Sequence, residues 1–185
     1  MGLFNRRKKK PADEPLPNAR QEWKDEIPWG TVYGGRELDL PAPLEIASAP
    51  ALAQWFVDVF AGETDVTLDY SVRSLEDVDS ILAEFEERGS ERTAEVTACA
   101  GFYAGEVFVR NHGFRWHAPE ENPLMQEFDA PRALGFAISA PGDDAQSNIV
   151  NKAFKRVENG DEDSLAFFGR FLLADLRSTP EPDAS

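Results

Sequence analysis

The chain has 185 residues, of which 42% are apolar, 29% charged and 11% aromatic, a composition typical of one globular domain. One cysteine excludes an intrachain disulfide framework, two histidines exclude a three-histidine metal site, and no apolar run approaches the roughly 18 residues of a membrane span. With 34 acidic against 19 basic residues, the net charge of −15 repels phosphates and disfavours nucleic acid as a partner.

The first ten residues carry the opposite charge. They contain no acid and five basic residues: Arg6, Arg7, Lys8, Lys9 and Lys10. A secretory signal would need an apolar stretch after this basic run, and Pro11 with nearby acids follows instead. Leu3 and Phe4 beside the five charges allow weak contact with an anionic membrane, although a solvated tail is the simpler interpretation. We therefore expect a cytoplasmic protein without a transmembrane segment.

Proline content and composition suggest the domain boundaries. Seven of the 13 prolines lie between Pro11 and Pro50, which favours extended, non-helical chain. We predict a flexible basic and then proline-rich tail over 1–26, a single domain over 27–178, and a flexible tail over 179–185.

The domain is predicted to open with extended chain and then a helix. Leucines alternate with other residues over Arg36–Ile46, but its prolines restrict that segment to an edge strand or a loop. The helix begins at Ser48 or Ala49, with Pro50 in its first turn. Its apolar stripe is Leu52, Trp55, Phe56, Val59 and Phe60.

A strand and a second helix are expected next. Asp65–Tyr70 alternates in polarity, as a half-buried strand does, and Asp69 is placed to accept backbone N–H bonds in the turn after it. Ser74 is the predicted cap of the second helix, which ends at Gly89. The inner face of this helix is Leu75, Val78, Ile81, Leu82 and Phe85.

The third helix, predicted over Glu91–Arg110, differs from the others because small residues form a line along it. That line is Ala94, Ala98, Gly101 and Gly105. Small side chains let another backbone come close, so we expect the central helix of the fold, closed by Gly113. Cys99 lies within it and is expected to be a core residue.

Three strands and two helices are predicted to complete the domain. The strands are Phe114–Ala118, Met125–Asp129 and Ala133–Ser139, in an antiparallel meander. Asp143 or Asp144 caps the fourth helix, whose stripe is Ile149, Val150, Ala153, Phe154 and Val157. The last helix is predicted to face inward through Leu165, Phe168, Phe171, Leu172 and Leu176, widened by Phe167 and Leu173. The sequence thus predicts an α+β domain with three to four short antiparallel strands and about five helices.

The best candidate functional cluster is Glu106, Arg110, His112 and His117. Glu106 and Arg110 stand at i, i+4 in the order that favours a structural ion pair, which is the simplest interpretation. Two alternatives remain: Glu106 as a general base with a histidine as acid, or a zinc site formed by both histidines and Glu106. The chain has no nucleotide-binding or nucleophile-elbow motif, so no cofactor and no catalytic residue is assigned.

One set of residues resembles a group of small bacterial domains of unknown function. The resemblance covers about 66–168, and its most specific parts are Gly105-Glu106-Val107 with Arg110 and Gly113 with Trp116. The remaining matches are Leu68-Asp69-Tyr70-Ser71, Ser74-Leu75, Val78-Asp79, Gly101, Tyr103, Val157, Gly160 and Asp163-Ser164-Leu165. The resemblance implies a bacterial, cytoplasmic domain and brings no activity with it.

Three functions are consistent with these features. The leading hypothesis is a non-enzymatic, acidic module that binds a basic protein, of which an immunity-type role is one version. The second is an enzyme or small-molecule binder that uses Glu106, Arg110, His112 and His117. The third is a peripheral membrane protein attached through Met1–Lys10.

Overall fold

The computed structural model describes residues 32–62, 66–121 and 131–178. Within these ranges the chain is α+β, as predicted, with five α-helices and a three-stranded antiparallel sheet beside a two-stranded hairpin. The helices are α1 (Ala49–Phe60), α2 (Leu75–Ala83), α3 (Ala94–His112), α4 (Ile149–Asn159) and α5 (Leu165–Ser178). The strands are β1 (Val32–Tyr33), β2 (Arg36–Glu37), β3 (Arg115–His117), β4 (Ala137–Ser139) and β5 (Gln146–Ser147). The predicted tails over 1–26 and 179–185 and the predicted strand Met125–Asp129 lie outside the described residues.

Helix α3 lies at the centre of the fold, as its line of small residues predicts. Of its 19 residues, 13 are buried, and α1 and α4 pack against it. The close approach of α4 depends on Gly101, because a Cβ atom there would lie 2.7 Å from Cα of Val150. Gly113 ends the helix in the left-handed conformation at φ 69°. The helix begins three residues later and ends two residues later than predicted.

The three-stranded sheet has the order β3-β4-β5, and both pairings are antiparallel. Arg115 pairs with Ser139, and Ser139 pairs with Gln146. The prediction of a strand over Ala133–Ser139 is wrong in its first half, since Arg132–Gly135 forms a 3₁₀ turn. Within the turn Ala133 and Gly135 are buried and Leu134 is partly exposed, so the alternation of small and large residues over 133–138 did not distinguish a turn from a strand. Strand β5 was not predicted.

The segment before α2 is not the predicted strand. Val66–Tyr70 forms no strand, and Tyr70 adopts the left-handed conformation at φ 62°, which is incompatible with a strand. Asp69 accepts the N–H of Ser71 at 2.9 Å, as expected. The predicted cap is displaced by one 3₁₀ turn: Ser71 Oγ accepts the N–H of Ser74, while Ser74 itself is buried and makes no side-chain cap bond. The extended segment Arg36–Ile46 contributes only Arg36–Glu37 to a strand.

The predicted inward face is correct for α4 and partly wrong for α5. All five stripe residues of α4 are buried, although Asn148 rather than Asp143 or Asp144 occupies its N-cap. Helix α5 meets the core through Gly169, where a Cβ atom would lie 2.8 Å from Leu75 and 3.0 Å from Phe108. Residues two positions away on a helix point about 200° away. Phe167 and Phe171 therefore face outward, 66% and 61% exposed.

Candidate functional site

Glu106 is the buried centre of the most polar cluster on α3. Only 3% of the residue is exposed, and both carboxylate oxygens have partners. Arg110 Nε donates to Oε2 at 2.7 Å, and the indole N–H of Trp116, on β3, donates to Oε1 at 3.0 Å. The Trp116 ring reaches this position because Gly105 has no side chain, as a Cβ atom there would overlap the ring.

Arg110 and Tyr70 extend this cluster toward the surface, and the fully buried Tyr103 packs against Tyr70. The guanidinium carbon of Arg110 lies 3.7 Å from the centroid of the Tyr70 ring, whose other neighbour is the stacked ring of Tyr103 at 4.7 Å. The backbone of Tyr70 is held by an N–H bond to the Tyr103 hydroxyl at 2.9 Å and by Asn111, which donates to its carbonyl at 2.8 Å. Burial raises the pKa of Tyr103 to about 12. We call Tyr70, Glu106, Arg110 and Trp116 the Glu106 cluster.

The Glu106 cluster does not include the two histidines that sequence analysis grouped with it. His112 ends α3, with its ring 6.2 Å from that of Phe108. His117 points away from Trp116, as expected from strand alternation, but it is 7% exposed rather than solvated. Its hydrogen-bond partners are Ser139 and Glu121. The four predicted residues therefore do not form one active site or one zinc site.

His117 joins a serine and a carboxylate in the order found in serine hydrolases. Its Nε2 lies 2.8 Å from Oγ of Ser139, and its Nδ1 lies 3.1 Å from Oε2 of Glu121. Arg115 Nε donates to the same Ser139 Oγ at 3.1 Å. An ionised carboxylate can only accept, so Nδ1–H of His117 donates to Glu121, and Nε2 of the neutral ring accepts the hydroxyl proton of Ser139. Ser139 Oγ accepts the bond from Arg115, because a guanidinium can only donate.

We call Ser139, His117 and Glu121 the His117 relay. Because its serine is buried, we assign the relay a structural role. Ser139 is 1% exposed, so a substrate carbonyl has no path to its Oγ in this conformation. The bonds instead tie β3 to β4 and to the 3₁₀ turn Pro119–Glu121. Sequence analysis missed the relay because only the register that pairs Arg115 with Ser139 brings these residues together. Neither the serine nor the glutamate belongs to a recognisable sequence motif.

A polar groove of about 420 Å³ lies beside the start of α2. Its lining residues are Thr67, Asp69, Ser71, Arg73, Ser74, Glu76 and Asp77. Asp69 and Asp77 both accept backbone N–H groups, of Ser71 and Thr67 respectively, so these carboxylates stabilise the turn. Across the part of the chain that the structure describes, no group of three or more His, Cys, Asp or Glu residues could hold a metal ion.

Among the residues that the structure describes, the most exposed large apolar side chains lie on α5. Phe167 and Phe171 stand one helical turn apart on its outer face, beside Arg170, whose guanidinium pairs with Glu76 at 3.0 Å. We call Phe167 and Phe171 the α5 pair. The sequence indicates only that part of the apolar surface of α5 stays uncovered, because its seven large apolar residues spread over more of the helix circumference than a single buried stripe.

Comparison of the chain with protein-family models, curated proteins and solved structures finds no match. The resemblance of its motifs to small bacterial domains therefore stays a prediction. Among the described helices, none combines the length and the apolar character needed to cross a membrane.

Proposed function

We propose that the chain is a non-enzymatic protein-interaction module that binds its partner through the α5 pair. The observation that carries this proposal is the exposure of Phe167 and Phe171 on one helix face, at 66% and 61%. They are two of the three exposed large apolar side chains in the described ranges, the third being Val59 at 47%. Adjacent exposed aromatics on a rigid helix are typical of binding surfaces.

Burying the α5 pair would provide substantial binding energy. A fully buried phenylalanine contributes about 1.5–3 kcal/mol, so covering the exposed parts of both rings is worth on the order of 2–4 kcal/mol. Interfaces commonly draw most of their affinity from a few such aromatic residues. The rings also lose little conformational freedom on binding, because α5 already fixes their backbone.

The polar clusters support this function over catalysis. A general base needs a free carboxylate oxygen that faces substrate, and both oxygens of Glu106 are engaged by Arg110 and Trp116. The His117 relay has its serine buried at 1% exposure. An immunity-type role, in which an acidic protein neutralises a basic one, is one form of the proposed function and agrees with the net charge of −15.

Site-specific photo-crosslinking in native cells tests the proposal. A benzophenone side chain replaces Phe167 or Phe171, and Val59 provides the matched exposed apolar control. We expect a discrete crosslinked protein from positions 167 and 171 and none from 59, with thermal melting unchanged in all three variants. Identical products from all three positions, or none from any, would contradict a binding role for the α5 pair.

A further inference from the structure

We propose that Arg110 binds a carboxylate group through the two terminal nitrogens of its guanidinium, Nη1 and Nη2, which we call the Arg110 edge. This binding site lies near the carboxyl end of α3 and does not depend on the α5 pair. It follows from the way in which the Glu106 cluster holds the arginine and from the donors that the cluster leaves without a partner.

The ion pair of Arg110 with Glu106 uses only one side of the guanidinium. Carboxylates frequently bind arginine with both oxygens at once. Here Oε1 of Glu106 accepts from Trp116 at 3.0 Å, which leaves Oε2 to accept from Nε of Arg110 at 2.7 Å. Among the residues that the structure describes, none accepts a hydrogen bond from Nη1 or Nη2. The N–H donors of the Arg110 edge therefore remain available to another acceptor.

Two other arginines of the domain show the contrast. Arg36 donates to Glu95 from both of its terminal nitrogens, and the buried Arg156 likewise uses both. The Arg110 side chain is 36% exposed, and neither of its terminal nitrogens is a buried atom that lacks a partner. The unused donors of the Arg110 edge are thus open to solvent and accessible to a ligand.

The ring of Tyr70 fixes the orientation of this guanidinium. Its centroid lies 3.7 Å from Cζ of Arg110. To place the ring there, Tyr70 adopts the left-handed conformation at φ 62°, which is costly for an aromatic residue. Tyr103 and Asn111 hold that conformation through the N–H and the carbonyl of Tyr70. Because the ring covers one face and Glu106 holds Nε, the Arg110 edge is kept in one direction before any ligand arrives.

A carboxylate is the anion that suits the Arg110 edge. Two N–H groups side by side in one plane match the two oxygens of a carboxylate and give two charge-assisted hydrogen bonds. The surroundings also favour a single negative charge. Glu106 already balances the guanidinium, and Gln54 connects the Tyr70 hydroxyl to the carboxylate of Asp58. A doubly charged anion would be repelled more strongly by these carboxylates, so we expect sulfate to bind more weakly than acetate.

Two sources present such a group to a protein surface: a small carboxylic acid and the carboxyl terminus of a peptide. Both offer the same planar pair of oxygens. They differ in whether contacts beyond the carboxylate add to the affinity, and the experiment separates them on that basis.

Titration of the full ¹⁵N-labelled chain by NMR tests the site. The reporters are Nε–H of Arg110 and the indole N–H of Trp116, which share the Glu106 carboxylate. The probes are acetate, sulfate at equal ionic strength, and an acetylated alanine peptide that ends either in a free carboxylate or in an amide.

Two variants and one control accompany the titration. Arg110→Lys keeps a positive charge beside Glu106 but loses the planar pair of donors. Tyr70→Asn removes the ring while asparagine tolerates the left-handed backbone, so it tests the site even if Arg110→Lys does not fold. The matched control is Arg170→Lys, since the Arg170 side chain is 58% exposed and is also paired with a glutamate.

We expect acetate to shift both reporters to saturation, with a dissociation constant on the order of millimolar, and sulfate to bind severalfold more weakly. Arg110→Lys and Tyr70→Asn should each weaken acetate about tenfold, while Arg170→Lys leaves it unchanged. Shifts that never saturate, sulfate binding as tight as that of acetate, or an unchanged acetate affinity in either variant would overturn the proposal. None of these results bears on the α5 pair, so the proposed function is decided separately by crosslinking.

The peptide probes identify the source of the carboxylate. Tighter binding of the free-carboxylate peptide than of acetate supports a site for a carboxyl terminus, and equal binding supports a site for a small acid. The amide peptide should not bind in either case. Amide binding as tight as that of the free carboxylate would overturn recognition of a carboxylate by the Arg110 edge.

Discussion

Trp116 donates its indole N–H to Glu106 at 3.0 Å, and in doing so attaches strand β3 to the central helix. The carboxylate that receives this bond is almost wholly buried, whereas 36% of the Arg110 side chain is exposed. The ion pair between Glu106 and Arg110 is therefore asymmetric, and the two partners should respond differently to substitution.

Arg110→Gln is expected to cost more stability than Glu106→Gln. Removing Arg110 leaves a buried carboxylate without its counter-ion, for an expected loss of about 3 kcal/mol. In Glu106→Gln the amide oxygen still accepts from Trp116 and the arginine turns to water, so we expect a loss of about 1 kcal/mol. Urea denaturation of both variants and the double mutant measures these costs and their coupling. Equal losses below about 0.5 kcal/mol would contradict a buried role for Glu106.

Alanine at either central glycine of α3 should destabilise the fold. In an open helix, Gly→Ala raises stability by roughly 1 kcal/mol. At Gly105 the new methyl group would overlap the Trp116 ring, and at Gly101 it would meet the backbone of Val150, so we expect a net loss of about 1–3 kcal/mol for each. Gly62→Ala, with nothing within 4 Å of the new atom, is the control. Thermal melting is the measurement, and unchanged melting of Gly105→Ala would refute the close contact.

The His117 relay is expected to stabilise the protein without reacting. Ser139→Ala leaves the buried Nε2 of His117 without its hydrogen-bond donor and removes the acceptor of Arg115 Nε, so it should cost about 1–3 kcal/mol, whereas Ser147→Ala on β5 should cost less. A fluorophosphonate probe, which labels activated serines, should not modify the folded chain. Labelling of Ser139 that His117→Gln prevents would instead establish a nucleophile.

Stability should fall at acid pH through Glu95 and Asp163. The hydrogen bond from Arg36 lowers the pKa of Glu95, and that from Lys152 lowers the pKa of Asp163. Since both folded pKa values lie below the unfolded values of about 4, this stabilisation is fully present above about pH 5 and is lost as pH falls through the folded values. We expect the contribution of Glu95 and Asp163 to the free energy of unfolding to be steady between about pH 7 and 5 and to decrease below about pH 4.

The control for this acid dependence is the double variant Glu95→Gln/Asp163→Asn. It should be less stable than wild type at neutral pH and should show a shallower decline below about pH 4. A decline as steep as that of the wild type would assign the effect to other carboxylates.

Sequence patterns predicted the elements whose packing can be read from residue spacing along a single helix. The line of small residues through Gly101 and Gly105 identified the central helix, and the apolar stripe of α4 identified its buried face, since each pattern reports directly on helix packing. The i, i+4 spacing likewise predicted the ion pair of Glu106 with Arg110.

Residue spacing did not predict the contacts that depend on how two strands pair or on which side chains of a neighbouring element meet a helix. The partner of His117 depends on which residue of β4 faces β3, and the second partner of Glu106 is an indole on a strand. The outward turn of Phe167 and Phe171 is set by Gly169, whose contact with Leu75 and Phe108 selects one of several apolar faces on α5. No periodicity within α5 distinguishes those faces.

The capping of α5 by Asp79 joins two parts of the chain that lie far apart in the sequence. The carboxylate lies on α2, yet it accepts the N–H groups of residues 86 and 87 positions later. A cap supplied by a residue far away in the sequence stabilises a helix only after the chain between the two has folded enough to bring them together. Helix α5 also has a local cap in Ser164, whose Oγ accepts the N–H of Phe167 at 3.0 Å, but it reaches its full stability only once α2 has docked. The surface that carries the α5 pair is therefore expected to be completed late in folding.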